Sequence, residues 1–358
     1  MKYNRMDIRN TIRNLINYFK MQNETPSQEE MAEIWGKIKE GIEKKKQRKK
    51  KKYILVTLAS AAAFVGCIWV GVECYSLNDK PDISVVAAQM SNETIEGEDI
   101  RLIVSQEEVL HVKKGATVAY SQDGIVSVDK EKVAKNTTED LYDQIIVPKG
   151  KYTRLILADG SSLHINAGTK VIYPKLFSKK KREIFVDGEI FIDVKRDESA
   201  PFIVKTAQFE VQVLGTAFDI KAYSNTFENA EVVLLRGKVN VKSKSGKEMS
   251  LSPDDKAVIL SDGLIEKSSV DAEEYILWTK GILSLNNEPL DVILAKLSRY
   301  YGVDIHCTDK ISDIKIAGKI DLECGIDEAL KRISVTGRFS FSKQENVYML
   351  KPLETIVQ

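Results

Sequence analysis

Few residues in this chain of 358 are of a type and in a place to make or break bonds. It holds three histidines and four cysteines. His111 and His164 each stand alone between apolar neighbours, with no cysteine or carboxylate at ligand spacing, so the reading is a histidine on a strand face and no metal centre. Cys67 lies inside a long apolar run and Cys74 just past it, which leaves Cys307 and Cys324 as the one pair in a region that reads as folded. The reading is two small buried thiols; an oxidising compartment would permit a bridge as the alternative, for which spacing alone supplies no geometry. The sequence after residue 76 offers no nucleophile elbow, no HExxH and no Gly-rich phosphate loop, and its acidic pairs fall on turns such as Ser252-Pro253-Asp254-Asp255. No catalytic set, metal or cofactor is expected. A membrane-anchored enzyme is the competing class, and it would have to show activity lost on mutation of an Asp or Glu.

The elements that place these residues are organised around Tyr53 to Val72, twenty residues without a charge. A helix of that length reaches roughly 30 Å, the thickness of a bilayer's hydrocarbon core. Eight of the nine residues from Lys44 to Lys52 are basic. Basic residues stay on the cytoplasmic side, so the expectation is one span with the N-terminus inside and the bulk of the chain outside. A net charge of +1 conceals the division: residues 1–52 carry 15 basic and 7 acidic side chains, the remainder 38 and 45. Topology and anionic lipid account for the basic run without nucleic acid.

Within residues 1–52, Ile8, Ile12, Leu15, Ile16 and Phe19 recur at helical spacing, as do Met31, Ile34, Trp35, Ile38 and Ile42. Ser27 and Glu30 read as a capping box between two amphipathic helices. Two short helices bury their apolar stripes poorly against each other, so this segment is expected to complete its core on a cytoplasmic protein. Binding to DNA is the rival reading, but the third helix of a recognisable DNA-binding unit is missing.

Residues 73–98 read as a polar tether without a clear period. Beyond it the period becomes two. Ile100–Tyr120 and Thr153–Tyr173 align at a constant offset of 53, matching Arg101 with Arg154, Leu110 with Leu163, His111 with His164, Gly115 with Gly168 and Tyr120 with Tyr173. Such a repeat argues for stacked, similar β-units. Strand signals separated by DG, SG and SPDD turns continue to about residue 268, giving an all-β domain over 99–270, with a sandwich, a jelly roll and a short solenoid left open. Residues 275–352 change pattern to βαββαββ, an α+β domain whose sheet edges are free to accept a strand. The fold class is thus multi-domain: a helical inner segment (1–52), a transmembrane helix (53–72), a tether (73–98), the all-β domain and the α+β domain.

At Val147–Pro174, then REIFVDGEIFIDVKRDESAPFIVKT, VQVLGTAFDIKAY, LLRGKVNV and the tail block from Trp278 and Gly281 through PLDVILAKLSRYYGVDI, the chain resembles the FecR-type transmembrane anti-sigma factors. The resemblance implies that Ile12, Leu15, Ile16, Phe19, Ile34, Trp35 and Ile38 bind an extracytoplasmic-function sigma factor. It also implies that the C-terminal module, similar to the secretin/TonB short N-terminal fold, meets the N-terminal signalling domain of a TonB-dependent outer-membrane transporter. Periplasmic and intramembrane proteases would then cut the chain. The location implied is the bacterial inner membrane, with a cytoplasmic N-terminus and a periplasmic C-terminus. Some relatives cleave themselves within the motif matching VLGTAF, which places that bond between Gly215 and Thr216, with the threonine hydroxyl attacking the preceding carbonyl.

Overall fold

The computed structural model describes residues 82–90, 95, 97–104, 108–134, 141–224, 226 and 228–353. Before them it describes positions 10, 13–14, 16–18, 20–21, 27–33, 35–36, 39–41, 43–44, 46–48, 64 and 66–67. The chain divides into two compact units, Met1–Lys80 and Pro81–Gln358.

In the first unit the described positions are helical apart from Ser27. That serine is the expected cap: the Ser27 N–H donates to Glu30 Oε2 at 3.1 Å and the Glu30 N–H to Ser27 Oγ at 3.3 Å, so each residue satisfies an N–H that the first helical turn leaves without a partner. The expected span lies outside the described residues except for Phe64, Gly66 and Cys67, and among the described residues no helix is long and apolar enough to cross a membrane.

The second unit opens with a correction. Within the stretch expected to be a tether, Ile83–Gln89 form a helix, α1, capped by Asp82, whose side chain accepts the Ser84 N–H at 2.8 Å. Ile83, Val86 and Ala87 are buried against Ile172, with Tyr142, Phe185 and Met90 around them. The spacing i, i+3, i+4 is the signal, concealed by the polar residues on either side.

Among the described residues eighteen strands follow in one hydrogen-bonded sheet curled into two layers. They are β1 (Ile100–Ile103), β2 (Val109–Val112), β3 (Thr117–Tyr120), β4 (Val126–Val128), β5 (Glu131–Ala134), β6 (Tyr142–Val147), β7 (Thr153–Ile156), β8 (Ser162–Ile165), β9 (Thr169–Pro174), β10 (Arg182–Asp193), β11 (Phe202–Lys205), β12 (Phe209–Val213), β13 (Ala217–Ala222), β14 (Ala230–Arg236), β15 (Val239–Ser243), β16 (Glu248–Leu251), β17 (Asp255–Ile259) and β18 (Ile265–Ser269). One layer runs β2-β1-β6-β9-β10-β11-β12-β15-β16. The other runs β5-β4-β3-β7-β8-β10-β13-β14-β17-β18. From β11 onward the strands fall in pairs on alternate layers, a winding that joins the sandwich and solenoid readings. Inward residues alternate along each strand, as in β10, where Ile184, Val186, Ile190 and Ile192 are fully buried in the core between the layers.

The repeat is real and its copies exchange layers. β1 and β2 lie in the first layer with β3 in the second, whereas β7 and β8 lie in the second with β9 in the first. The matched histidines sit directly opposite the matched arginines, His111 across from Arg101 and His164 across from Arg154. Burial, then the charge of Arg154, pulls the His164 imidazole below its ordinary pKa.

β10 belongs to both layers. Its first half pairs with β9 and β11, its second half with β8 and β13, and the change falls at Gly188. That residue has φ +133°, and a Cβ there would lie 2.6 Å from Thr169 Cα, so only glycine fits.

The C-terminal module is α+β. After α2 (Ala272–Tyr275) and a 3₁₀ turn at Leu277–Lys280 come β19 (Ile282–Pro289), α3 (Leu290–Tyr301), β20 (Asp304–Cys307), α4 (Asp309–Ser312), β21 (Lys315–Asp321), α5 (Ile326–Gly337), β22 (Phe339–Gln344) and β23 (Val347–Pro352). The expected order holds with one extra short helix, α4. The single small sheet is instead two: β19 pairs with β21, and β20-β23-β22 form a three-stranded sheet. Leu290, Ile293, Leu294 and Leu297 of α3 meet Ala329, Leu330 and Ile333 of α5 in one core. Cys307 and Cys324 are free thiols at its margin, and burial pushes the Cys307 thiol up.

Candidate functional site

Charged side chains far apart in sequence converge where the C-terminal module meets the β region. Loop, strand and helix each contribute. The turn before β7 approaches the end of α3 so closely that the Gly150 N–H donates to the Arg299 carbonyl at 2.8 Å. Gly150 and Gly302 both take positive φ, and a Cβ on Gly302 would stand 3.3 Å from Gly150 Cα. Two glycines at helix and turn ends allow this backbone contact.

Arg299, the basic residue of the last turn of α3, reaches across this joint. Its guanidinium forms a two-pronged bond with Glu228, at 2.5 and 3.1 Å, and stacks 4.4 Å from the ring centroid of Tyr223. Both charged side chains are nearly removed from water, at 12% and 13% exposure. A planar fork matched to a carboxylate is the geometry that offsets such burial. Burial alone would raise the Glu228 carboxyl, but the charge and hydrogen bonds of Arg299, helped by Lys221, hold it below its ordinary value.

Deeper in, Lys221 of β13 lies 3.4 Å from Glu228 and 3.6 Å from Glu231. Burial would lower that ammonium, and the surrounding carboxylates, Glu231 first, reverse the shift upward. Asp219, two residues earlier on the same strand face, is buried and accepts the indole N–H of Trp278 at 3.1 Å. Burial, then the neighbouring Glu189, raises the Asp219 carboxyl well above the ordinary carboxylate range. Glu189 accepts a bond from Asn166 at 2.7 Å, and the Tyr223 hydroxyl donates to the Ala167 carbonyl at 3.0 Å. A cavity of about 70 Å³ lies among Asp219, Lys221, Glu231, Trp278, Glu288 and Arg299. The arrangement clamps the C-terminal module to the β region through the buried Arg299–Glu228 pair and the Trp278–Asp219 hydrogen bond.

Sequence reasoning singled out Trp278 and Gly281, which lie at this joint: Gly281 closes the 3₁₀ turn with φ +73° and leads into β19. It missed Asp219, Lys221, Glu228 and Arg299. The lysine inside the apolar strand AFDIKA was the available signal, because a charge there demands a partner.

Of the residues assigned to sigma binding, Ile16 and Trp35 are exposed, at 52% and 58%. Ile12, Leu15, Phe19, Ile34 and Ile38 lie outside the residues whose side chains are described. Gly215 and Thr216 form the link between β12 and β13. A Cβ on Gly215 would lie 2.6 Å from Arg196 Cα, and the buried Thr216 hydroxyl donates to the Lys238 carbonyl at 3.0 Å. Among the described residues no group of three or more His, Cys, Asp or Glu is placed to hold a metal.

Two family models match the chain, one described as FecR protein over residues 143–240 and one as FecR, C-terminal over residues 282–350. Their boundaries fall on either side of the joint. Two crystal structures of a candidate anti-sigma factor from Parabacteroides distasonis, at 1.65 and 2.50 Å resolution, are each 32% identical in sequence. The first has a TM-score of 0.55 and covers 58% of this chain and 98% of its own; the second has 0.56, 59% and 99%. No protein in the curated set matches the chain. With both models matched in order and nearly the full length of those relatives covered, the chain belongs to the FecR family.

Proposed function

We propose that this protein is an anti-sigma factor anchored by one transmembrane helix at residues 53–72. It sequesters an extracytoplasmic-function sigma factor with the segment before that helix and releases it when a signal reaches the region after it. The observation that carries the reading is the joining of the FecR region and its C-terminal module by a buried ionic joint, in a chain 32% identical to a candidate anti-sigma factor. A binding protein that relays a signal needs such a joint. An enzyme would need a site that joins nucleophile, base and cavity.

On this reading the inner segment faces the cytoplasm, where Ile16 and Trp35 offer apolar side chains to the sigma factor. The C-terminal module faces the periplasm and meets the signalling domain of a TonB-dependent transporter. Proteolysis outside and then within the membrane frees the inner segment. Self-cleavage between Gly215 and Thr216 would precede these cuts. The sequence basis for the anchor is the charge-free stretch beside KKKQRKKKK.

The test is capture from detergent-solubilised native membranes with the full-length chain as bait. A sigma factor in the eluate that disappears with Ile16→Asp and Trp35→Asp supports the proposal. An eluate without any sigma factor overturns it.

A further inference from the structure

We infer that α1 is a detachable strap: docked on the β region, it keeps its own residues, Asp82–Met90, from being cut, and its release makes them a protease substrate. The inference rests on the anti-sigma reading for its purpose and on the geometry of α1 for its mechanism.

A helix of seven residues does not persist in water by itself, because the cost of nucleating it exceeds what so few hydrogen bonds return. α1 is therefore helical only while Ile83, Val86 and Ala87 lie on Ile172 of β9, beside Phe185 of β10. Docking and folding are one event. The contact is also a small satellite, separate from the core between the two layers, so it can open while the sandwich stays closed.

Its N-terminus is held by charge. Lys205, at the end of β11, donates to Asp82 at 2.7 Å and lies 3.4 Å from Glu183, and its side chain is only 15% exposed. The Asp82 carboxyl is drawn below its ordinary value, first by the bond from Lys205. Within α1 the outward residue Val85 is 54% exposed, so one face only is committed to the sheet. Proteases bind substrates as extended chain, and a docked, capped helix denies them that form. Once α1 lifts, Asp82–Met90 can be threaded into such a site.

The position under the strap also has a neighbour at the joint. β9 begins at Thr169, next to Gly168, whose Cβ position lies 3.6 Å from Tyr223 and 3.8 Å from Arg299. Three residues further along the same strand stands Ile172, the seat of α1. The strap and the C-terminal module thus rest on opposite ends of one strand.

The test uses full-length protein in lipid nanodiscs, digested briefly with proteinase K, with cuts mapped by mass spectrometry. Val86→Asp places a charge under the strap, Asp82→Ala removes its ionic hold, and Val86→Ile is the conservative control. The expected result is cleavage within residues 82–90 that accelerates tenfold or more in Val86→Asp, less in Asp82→Ala and little in Val86→Ile. The thermal unfolding midpoint of the β region should stay near that of the parent. In cells, Val86→Asp should raise sigma-dependent transcription without the inducing signal. Equal cleavage rates in parent and Val86→Asp overturn the inference. So does faster cleavage with unchanged transcription in a strain where deleting the whole gene raises it. If that deletion itself changes nothing, the anti-sigma reading has failed, and the digestion pattern alone decides whether the strap exists.

Discussion

The hydroxyls of Tyr120 and Tyr173 lie 3.2 Å apart in the centre of the β region, with their rings edge to face, although the residues are 53 positions apart in sequence. They are the last matched pair of the internal repeat. Each copy ends in a tyrosine, and because the copies exchange layers the two tyrosines meet in the core. Asp143 accepts from Tyr120 at 2.5 Å and lies 3.7 Å from the buried Lys175. This makes a buried polar cluster among the apolar side chains between the layers.

Removing the carboxylate leaves a buried ammonium with much less compensation. Asp143→Ala is expected to destabilise the β region by roughly 3–5 kcal/mol, the usual cost of breaking a buried pair on one side. Tyr173→Phe should cost about 1 kcal/mol, since Tyr120 keeps its bond to Asp143. Urea unfolding of the two variants separates these values; equal small losses would show the cluster to be inconsequential.

Burial, with Asp143 beside them, pushes both phenols well above their ordinary value of 10.0. A group raised in the folded state contributes stability that is complete below its unfolded pKa and is lost as pH rises past it. The β region should therefore weaken above about pH 10. Absorbance at the phenolate band should show Tyr120 and Tyr173 ionising only as the protein unfolds, and a smooth titration of every tyrosine in the native state would contradict this.

At the joint the same sign rule applies to Asp219, whose carboxyl is raised by burial and by Glu189. As pH rises past the ordinary aspartate value of 3.8, the wild-type joint should weaken, and it is tightest on the acid side. Glu228 works the other way only at lower pH, because its carboxyl is held down. Asp219→Asn keeps an acceptor for the Trp278 indole and removes the titrating carboxyl, so that weakening should be absent in the variant. Denaturation followed by tryptophan fluorescence at several pH values checks both statements.

Arg299→Lys retains the charge but gives up the two-pronged bond to Glu228 and the stacking on Tyr223. A loss of roughly 2–3 kcal/mol is expected, nearly as large as for Arg299→Ala. Hydrogen exchange should quicken in α3 and at residues 228–236 and remain slow in β1 to β6. Full rescue by lysine would mean that charge alone holds the joint.

Between Gly215 and Thr216 two roles can be separated. Gly215→Ala should unfold or strongly destabilise the protein whatever the chemistry there, because its Cβ would enter the space of Arg196. Thr216→Val preserves shape and deletes the hydroxyl. A chain found in two pieces as wild type and in one piece as Thr216→Val would assign self-cleavage to this bond; an intact wild-type chain in native membranes would exclude it.

Much of the strand order was legible because period-two alternation is local and the repeat announces itself. The histidines were rightly placed on strand faces for the same reason. α1 was misread as tether because three apolar residues at helical spacing, Ile83, Val86 and Ala87, carry little weight until the apolar face of Ile172 and Phe185 is known to await them. The joint was illegible for a different reason. Arg299 and Glu228 are 71 residues apart and Trp278 and Asp219 are 59 apart, and nothing near any of them in sequence specifies its partner. The single small C-terminal sheet expected from the order of elements also gave way to two, since β20 and β21, consecutive in the chain, take different partners, β23 and β19.

β10 has a mechanical meaning. Because one unbroken strand is stitched into both layers, shearing one layer past the other would have to tear one half of β10 from its neighbours. The β region is in that respect riveted. A pull applied at the C-terminal module through Arg299 would arrive at the strap with little lost to deformation in between, and the weakest link along that load path is the short helix at its far end.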